Sequence, residues 1–356
     1  MRFIHMADMH FDTPFTLLSN HEELGDLRRL EQRKVFKKII DKIKEENIPY
    51  LFISGDLYEE QYVRRSTIEF INNLFKTIPN TKIFISPGNH DPLLKNSYYN
   101  EFNWEENVYI FNAEVQKFEF EDADIYGYGF NDFYCTDSKI EEINIENKNK
   151  LNILVVHGSL NASNTLDLQY NPLNENKLKE IGFDYVALGH IHKRTINKNI
   201  SYPGSTISLG FDELGEHGAL DVNLEKEKLD INFIKLDEKE FLELNINISE
   251  INSEEELVEK IINLKLDENK YYKIILEGNK NFEINRNKIL KLININNILK
   301  IKDNSKININ IEELKKQNNL TGYFIREMMK IKDKKIYDEE TVENAIEIGL
   351  NALKKM

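Results

Sequence analysis

Lys82–Leu94 reads KIFISPGNHDPLL, and its parts belong to different kinds of structure. Four β-favouring residues run through Ser86 into Pro87-Gly88, a turn pair, and then Asn89, His90 and Asp91 follow in succession. A tight turn accounts for the proline, the glycine and the asparagine. It gives no reason for His90. Outward from this stretch, four more short apolar runs stop on polar residues. RFIHMAD ends at Asp8-Met9-His10, YLFISGD at Gly55-Asp56, LNILVVHG at His157-Gly158, and DYVALGHIH at Gly189-His190-Ile191-His192. Five of the eight histidines lie on these tips. Open α/β sheets gather ligand sites beyond the carboxyl ends of their strands, so the tips are expected to converge.

Helical periodicity fills the gaps. Leu27, Leu30, Phe36, Ile39, Ile40 and Ile43 largely keep the i, i+3, i+4 spacing of a buried face. A second such series, Ile68, Ile71, Leu74, Phe75 and Ile78, follows Ser66, which is expected to cap it. The alternation is a layered α/β pattern with sheets packed between helices. Near residue 237 the character changes to a β-α-β-α-β series without histidine. From Leu320 onward two helices are expected. The division is therefore 1–236, a layered α/β domain, 237–318, a small α+β domain, and 319–356, a helical segment.

Composition bounds the function. The chain has 356 residues and a net charge of −14, which argues against an obvious nucleic-acid binder, because phosphate contact rewards basic surfaces. The acid is concentrated in front: residues 1–236 hold 26 Lys+Arg against 38 Asp+Glu, residues 237–356 hold 21 against 23. One cysteine, Cys135, excludes an internal disulfide framework and fits a reducing compartment. No apolar run approaches the length of a membrane span, and a cytoplasmic protein is the expectation.

Two aspartates, an asparagine and four imidazoles on the tips make a mixed oxygen and nitrogen donor set for borderline divalent metals such as manganese, iron or zinc. The absence of cysteine ligands argues against a structural zinc site. Two cations about 3.5–4 Å apart clamp a phosphoryl centre and lower the pKa of water, and seven ligands serve two metals only if one is shared. Asp-x-His or Gly-Asp alone is a common accident. Five such endings in succession are not. His5, His21 and His217 read as packed, loop and turn residues.

In order, DMH, GD, GNHD, HG and GHIH resemble the calcineurin-type metallophosphoesterases over roughly residues 1–220. FIHMADMHFDTPF with YPGSTISLGFDELGEHG (202–218) narrows the likeness to SbcD-like and YhaO-like DNA repair exonucleases, which follow GHxH with such a turn, an acidic residue and a glycine close. The resemblance implies a four-layer sandwich of two β-sheets flanked by helices, with a small C-terminal α+β capping domain and terminal helices. It implies one metal on Asp8, His10, Asp56 and His192 and a second on Asp56, Asn89, His157 and His190, manganese ahead of iron or zinc. His90 would protonate the leaving oxygen. Glu59 stands where several relatives carry a His or Asp supporting that imidazole; it either does the same or is a solvated glutamate. Lys193 and Arg194 either reach a DNA phosphate or simply face solvent. The implied activity is phosphodiester hydrolysis, 3′→5′ exonucleolytic with endonuclease action, beside a coiled-coil ATPase of the SbcC or YhaN type. The resemblance also implies a homodimer. A small-molecule phosphodiesterase or nucleotidase on the same scaffold is the alternative.

Overall fold

Alternation along each apolar run sorts its side chains onto two faces, and the layers follow from that sorting. In the computed structural model, which describes residues 1–15, 22–307 and 311–353, the first run is strand β1 (Arg2–Met6). Helix α1 (Glu22–Glu45), β2 (Tyr50–Ile53), α2 (Arg65–Phe75), β3 (Lys82–Ile85), the single turn α3 (Tyr98–Glu101) and β4 (Val108–Ile110) come next. Then come β5 (Gln116–Glu119), β6 (Ala123–Gly127), β7 (Leu151–His157), α4 (Glu175–Ile181), β8 (Tyr185–Gly189), β9 (Thr195–Asn197), β10 (Ile200–Tyr202), β11 (Gly218–Glu225) and β12 (Lys228–Lys235). Among the described residues these strands make two sheets, ordered β12-β11-β1-β2-β3-β4 and β5-β6-β7-β8-β10-β9. The strands carrying the polar tips pair in parallel within each sheet, so their carboxyl ends share one rim.

Phe3, Phe52, Phe84, Val155 and Ala187 form the layer between the two sheets. Ile4, Met6, Leu51, Ile53 and Ile85 point the other way, against Phe36, Ile40, Ile68 and Ile71 of α1 and α2. Leu154, Val156, Val186 and Leu188 back onto Leu178 of α4 with Ile140 and Leu173. The result is the expected four-layer sandwich, two sheets between helices.

Two details of the helices differ from expectation. Leu27 and Leu30 are exposed, at 49% and 53%, not buried. Counting back in fours from Phe36 along the inward face gives Gln32 and Arg28, and both are fully buried. Burial is tolerable because most of their donors are taken, although Arg28 Nε and Gln32 Oε1 find no hydrogen-bond partner among the described residues. Gln32 Nε2 donates to the carbonyls of Met9 and His10, each at 3.0 Å. Arg28 donates to the Ser208 carbonyl at 2.7 Å and pairs with buried Asp237. Ser66 does not cap α2: the N-cap is Arg64, and its amide donates to Asp12 Oδ2 at 3.0 Å.

The described residues fall into two compact units, Met1–Leu242 with Glu268–Tyr271, and Glu243–Asp267 with Tyr272 onward. A sheet ordered β13 (Glu240–Asn247), β14 (Lys270–Glu277) and β16 (Ile298–Asp303) runs through the second unit. Helices α5 (Glu254–Ile262) and α6 (Arg286–Ile293) bury Leu257, Ile261, Ile289 and Ile293, and the short pair β15 (Asn279–Lys280) and β17 (Lys306–Ile307) joins beside them. Helices α7 (Ile311–Lys315), α8 (Leu320–Asp333) and α9 (Glu339–Leu353) gather around Ile325, Val342, Ile346 and Leu350. Among the described residues no helix is long and apolar enough to cross a membrane. His21 lies outside the described residues.

Candidate metal centre

Bringing five strand tips to one point bends the backbone unusually. Asp8, His10, Asp56 and His190 have φ of 52°, 49°, 53° and 104°, the left-handed region that costs a side-chain-bearing residue about 1–2 kcal/mol. Strain of this kind gathers at functional sites and persists only where the surroundings hold it. Here backbone staples do the holding: Asp8 N donates to Gly55 O at 3.1 Å, His10 N to Asp56 O at 2.9 Å, and Gly158 N to Gly189 O at 3.1 Å. Asp91, buried under the turn that opened the sequence reading, accepts from the amides of Asp56, Leu57 and Gly88 and from the Tyr99 hydroxyl. Gly88 is required for closeness, since a Cβ there would fall 2.2 Å from Asp56 Oδ1.

The side chains meet as acceptors. His10 Nδ1 donates to Glu59 Oε1 at 2.8 Å and His192 Nδ1 to Glu213 Oε1 at 2.5 Å. Each ring therefore presents the lone pair of its Nε2, and the two Nε2 atoms lie 3.1 Å apart. His157 Nδ1 donates to the Ser54 carbonyl at 2.9 Å, leaving its Nε2 to face Asn89 Oδ1 at 3.0 Å and Asp56 Oδ2 at 3.3 Å. His190 gives its amide to Asp8 Oδ1 at 3.0 Å, and its ring lies 5.2 Å from that of His157. Donor atoms of Asp8, His10 and His192, and of Asp8, Asp56 and His157, all fall within 4.8 Å of one another. Asp56 also groups with His10 and His90 at that limit, which puts it between the two sides.

Lone pairs facing lone pairs at such distances repel unless a positive charge sits among them. The donor set fits divalent cations: Asp8, His10, Asp56, His157 and His192 bring donor atoms together in groups, Asn89 Oδ1 lies against His157 Nε2, and the His190 ring packs beside that of His157. Neighbouring carboxylates favour charge on two of the rings. Burial would lower His157 and His192, but Asp56 in one case and Glu213 in the other hold each up at about 9. At His190 burial and the neighbouring His157 outweigh the pull of Asp56 and lower the ring to about 3, leaving it neutral as a ligand must be.

Residues 1–194 match the calcineurin-like phosphoesterases. The chain belongs to that family. It is 29% identical over 231 residues to the uncharacterized metallophosphoesterase YhaO of Bacillus subtilis (strain 168), an alignment covering 61% of this chain and 56% of that one. The chain thus spans little more than half the length of this relative. Solved structures resembling it include a dimetal phosphatase from Danio rerio, with 9% identity, TM-score 0.37, and coverage of 65% of this chain and 95% of that one. A protein of Thermus thermophilus has 12% identity, TM-score 0.37, and coverage of 65% and 98%.

Within this phosphoesterase, Glu59 lies against both His10 and His90. Its second oxygen accepts from His90 Nδ1 at 2.9 Å. Burial would raise Glu59, but the two imidazoles hold it down at about 2. Burial would likewise lower His90, but Glu59 and Asp56 outweigh it and hold the ring up at about 9. His90 stands at the rim, its side chain 45% exposed, with its amide donating to Asp56 Oδ1. Lys193 is exposed. Arg194 lies over the Phe233 ring, 3.6 Å from its centroid, and 4.0 Å from Glu216, so the protein surface engages it.

The residues not assigned a role from sequence stand behind the ligands. Glu213 orients His192 and also accepts from Ser205 Oγ at 2.7 Å and Leu209 N at 3.2 Å. His217 is more than a turn residue, because it braces the same loop through Ser205 and the Glu213 carbonyl. His5 is packed, as expected, between Tyr185 and Ser54. The acidic residue in FDELGEHG was the available signal for Glu213; nothing in the local pattern tied it to a histidine 21 residues earlier.

Proposed function

We propose that this phosphoesterase is a two-metal DNA nuclease, working 3′→5′ from ends with endonucleolytic action, and using manganese ahead of iron or zinc. What supports the reading is the closure of residues 202–218 onto the site. That segment carries the likeness to DNA repair exonucleases, and its Glu213 backs His192 directly. Bound cations would supply a Lewis acid for the phosphoryl oxygens and a lowered pKa for attacking water. The chain's own residues do the rest. Glu59 keeps His90 protonated and aimed from the rim, where it donates its proton to the leaving oxygen. Asp91 holds the turn that presents Asn89 and His90 together. Lys193, exposed beside His192, meets a phosphate of the bound strand.

The wider assembly belongs to the same proposal. A coiled-coil ATPase of the SbcC or YhaN type supplies the basic surface that a chain of net charge −14 lacks. Helices α8 and α9, around Tyr323, Phe324, Met328 and Met329, form its docking element, with Tyr323 exposed and the other three packed partly buried against the helices' own core, and the chain pairs as a homodimer. The deciding experiment compares end-labelled duplex DNA with a cyclic nucleotide in the presence of manganese. Release of nucleotides from labelled 3′ ends is expected. Turnover of the cyclic nucleotide with DNA left intact, with or without an ATPase partner, would assign a small-molecule phosphodiesterase or nucleotidase instead.

A further inference from the structure

A graded series of rings leads away from His190. The Tyr170 ring lies 4.9 Å from the His190 ring, inclined by 38°, and the Tyr134 ring lies 6.1 Å beyond, inclined by 30° to Tyr170. Tyr134 ends the series with 58% of its surface in solvent. Single exposed aromatics are ordinary and need no explanation. This one is different because its support is built. Cys135 N donates to Gln169 O at 2.8 Å and Asn171 N to Cys135 O at 2.6 Å, so the two loops carrying the tyrosines are joined by a short backbone ladder. Asn171 then fastens the ladder to the metal-side strand, donating from Nδ2 to the His157 carbonyl at 2.7 Å and accepting from Tyr128 at 2.9 Å. The rings are thus referenced to the tip that presents His157.

Charge narrows what such a step would hold. Residues 1–236 carry 26 basic against 38 acidic residues, so this domain as a whole offers little of the phosphate attraction that dominates nucleic-acid affinity. Stacking a base on an aromatic face works without basic side chains and tolerates any sequence. A nucleotide also places a flat base one sugar away from its phosphate, matching a ring series that starts beside the metal ligands and runs outward. We propose that Tyr134, backed by Tyr170, is a stacking site for the nucleobase adjoining the scissile phosphodiester. The inference rests on the nuclease reading above and adds to it the part of the substrate that is held.

The test uses the full chain with manganese, wild type against Tyr134→Ala and Tyr134→Trp, on two small diesters. One is the p-nitrophenyl ester of thymidine 5′-phosphate, which carries a base; the other is methyl p-nitrophenyl phosphate, which does not. Tyr134→Ala should raise KM for the thymidine ester about five-fold or more, the loss of one base stack, with kcat unchanged. The base-free ester should be unaffected, and Tyr134→Trp should restore the wild-type KM. An equal rise on both esters, or none on the thymidine ester, overturns the stacking site. End-labelled DNA judges the nuclease reading separately. A Tyr134-dependent KM for the thymidine ester with DNA left uncut would uphold the stack and overturn the nuclease.

Discussion

His10 and His192 lean on carboxylates, whereas His157 leans on a backbone carbonyl and His190 packs against Tyr170. A carboxylate behind an imidazole raises its basicity and fixes its ring through charge, and such partners contribute strongly to metal affinity. A carbonyl fixes the tautomer with less charge. The two sides of one centre are therefore built to different standards, and the side facing residues 202–218 should grip its cation harder. Asp56, reaching both, is where the asymmetry is averaged.

Removing that shared residue has the largest effect. Asp56→Asn should reduce turnover of bis-p-nitrophenyl phosphate to background, and full metal-dependent activity in this variant would end the idea of a shared ligand. Glu213→Gln sharpens the comparison. It should weaken cation binding on the His192 side by about 10–100-fold while the other side holds, read as one shifted affinity in a calorimetric manganese titration. Equal shifts at both sides would erase the distinction. Glu59→Gln has the smallest expected effect. His90 must be protonated to act as an acid, so activity falls as pH rises through its pKa. With the Glu59 charge gone, that pKa drops, and the basic limb of the kcat profile should move to lower pH. A limb that stays in place would show that Glu59 serves His10 alone.

The rim of the site was legible in the sequence because each tip joins two independent signals, a buried strand ending and a metal-binding residue type. The layered pattern was legible in the alternation of short apolar runs with helical periodicity, and the four-layer sandwich in the family resemblance. What escaped depends on distance in sequence. Leu27 and Leu30 read as core by hydrophobicity, yet Arg28 and Gln32 lie inside because Asp237, Ser208 and the Met9–His10 carbonyls await them. Glu213 and the Tyr134–Tyr170 pair likewise gain meaning only once loops far apart are folded against each other.

The left-handed backbone at Asp8, His10, Asp56 and His190 has an evolutionary corollary. Glycine at any of these positions would relax the chain, and it would delete a ligand in the same stroke. At Asp8 and Asp56 it would also strip the carboxylate that accepts the His190 or His90 amide, so relief of strain would be offset by an unpaired N–H. Strain and ligation at this centre are therefore bound into the same side chains.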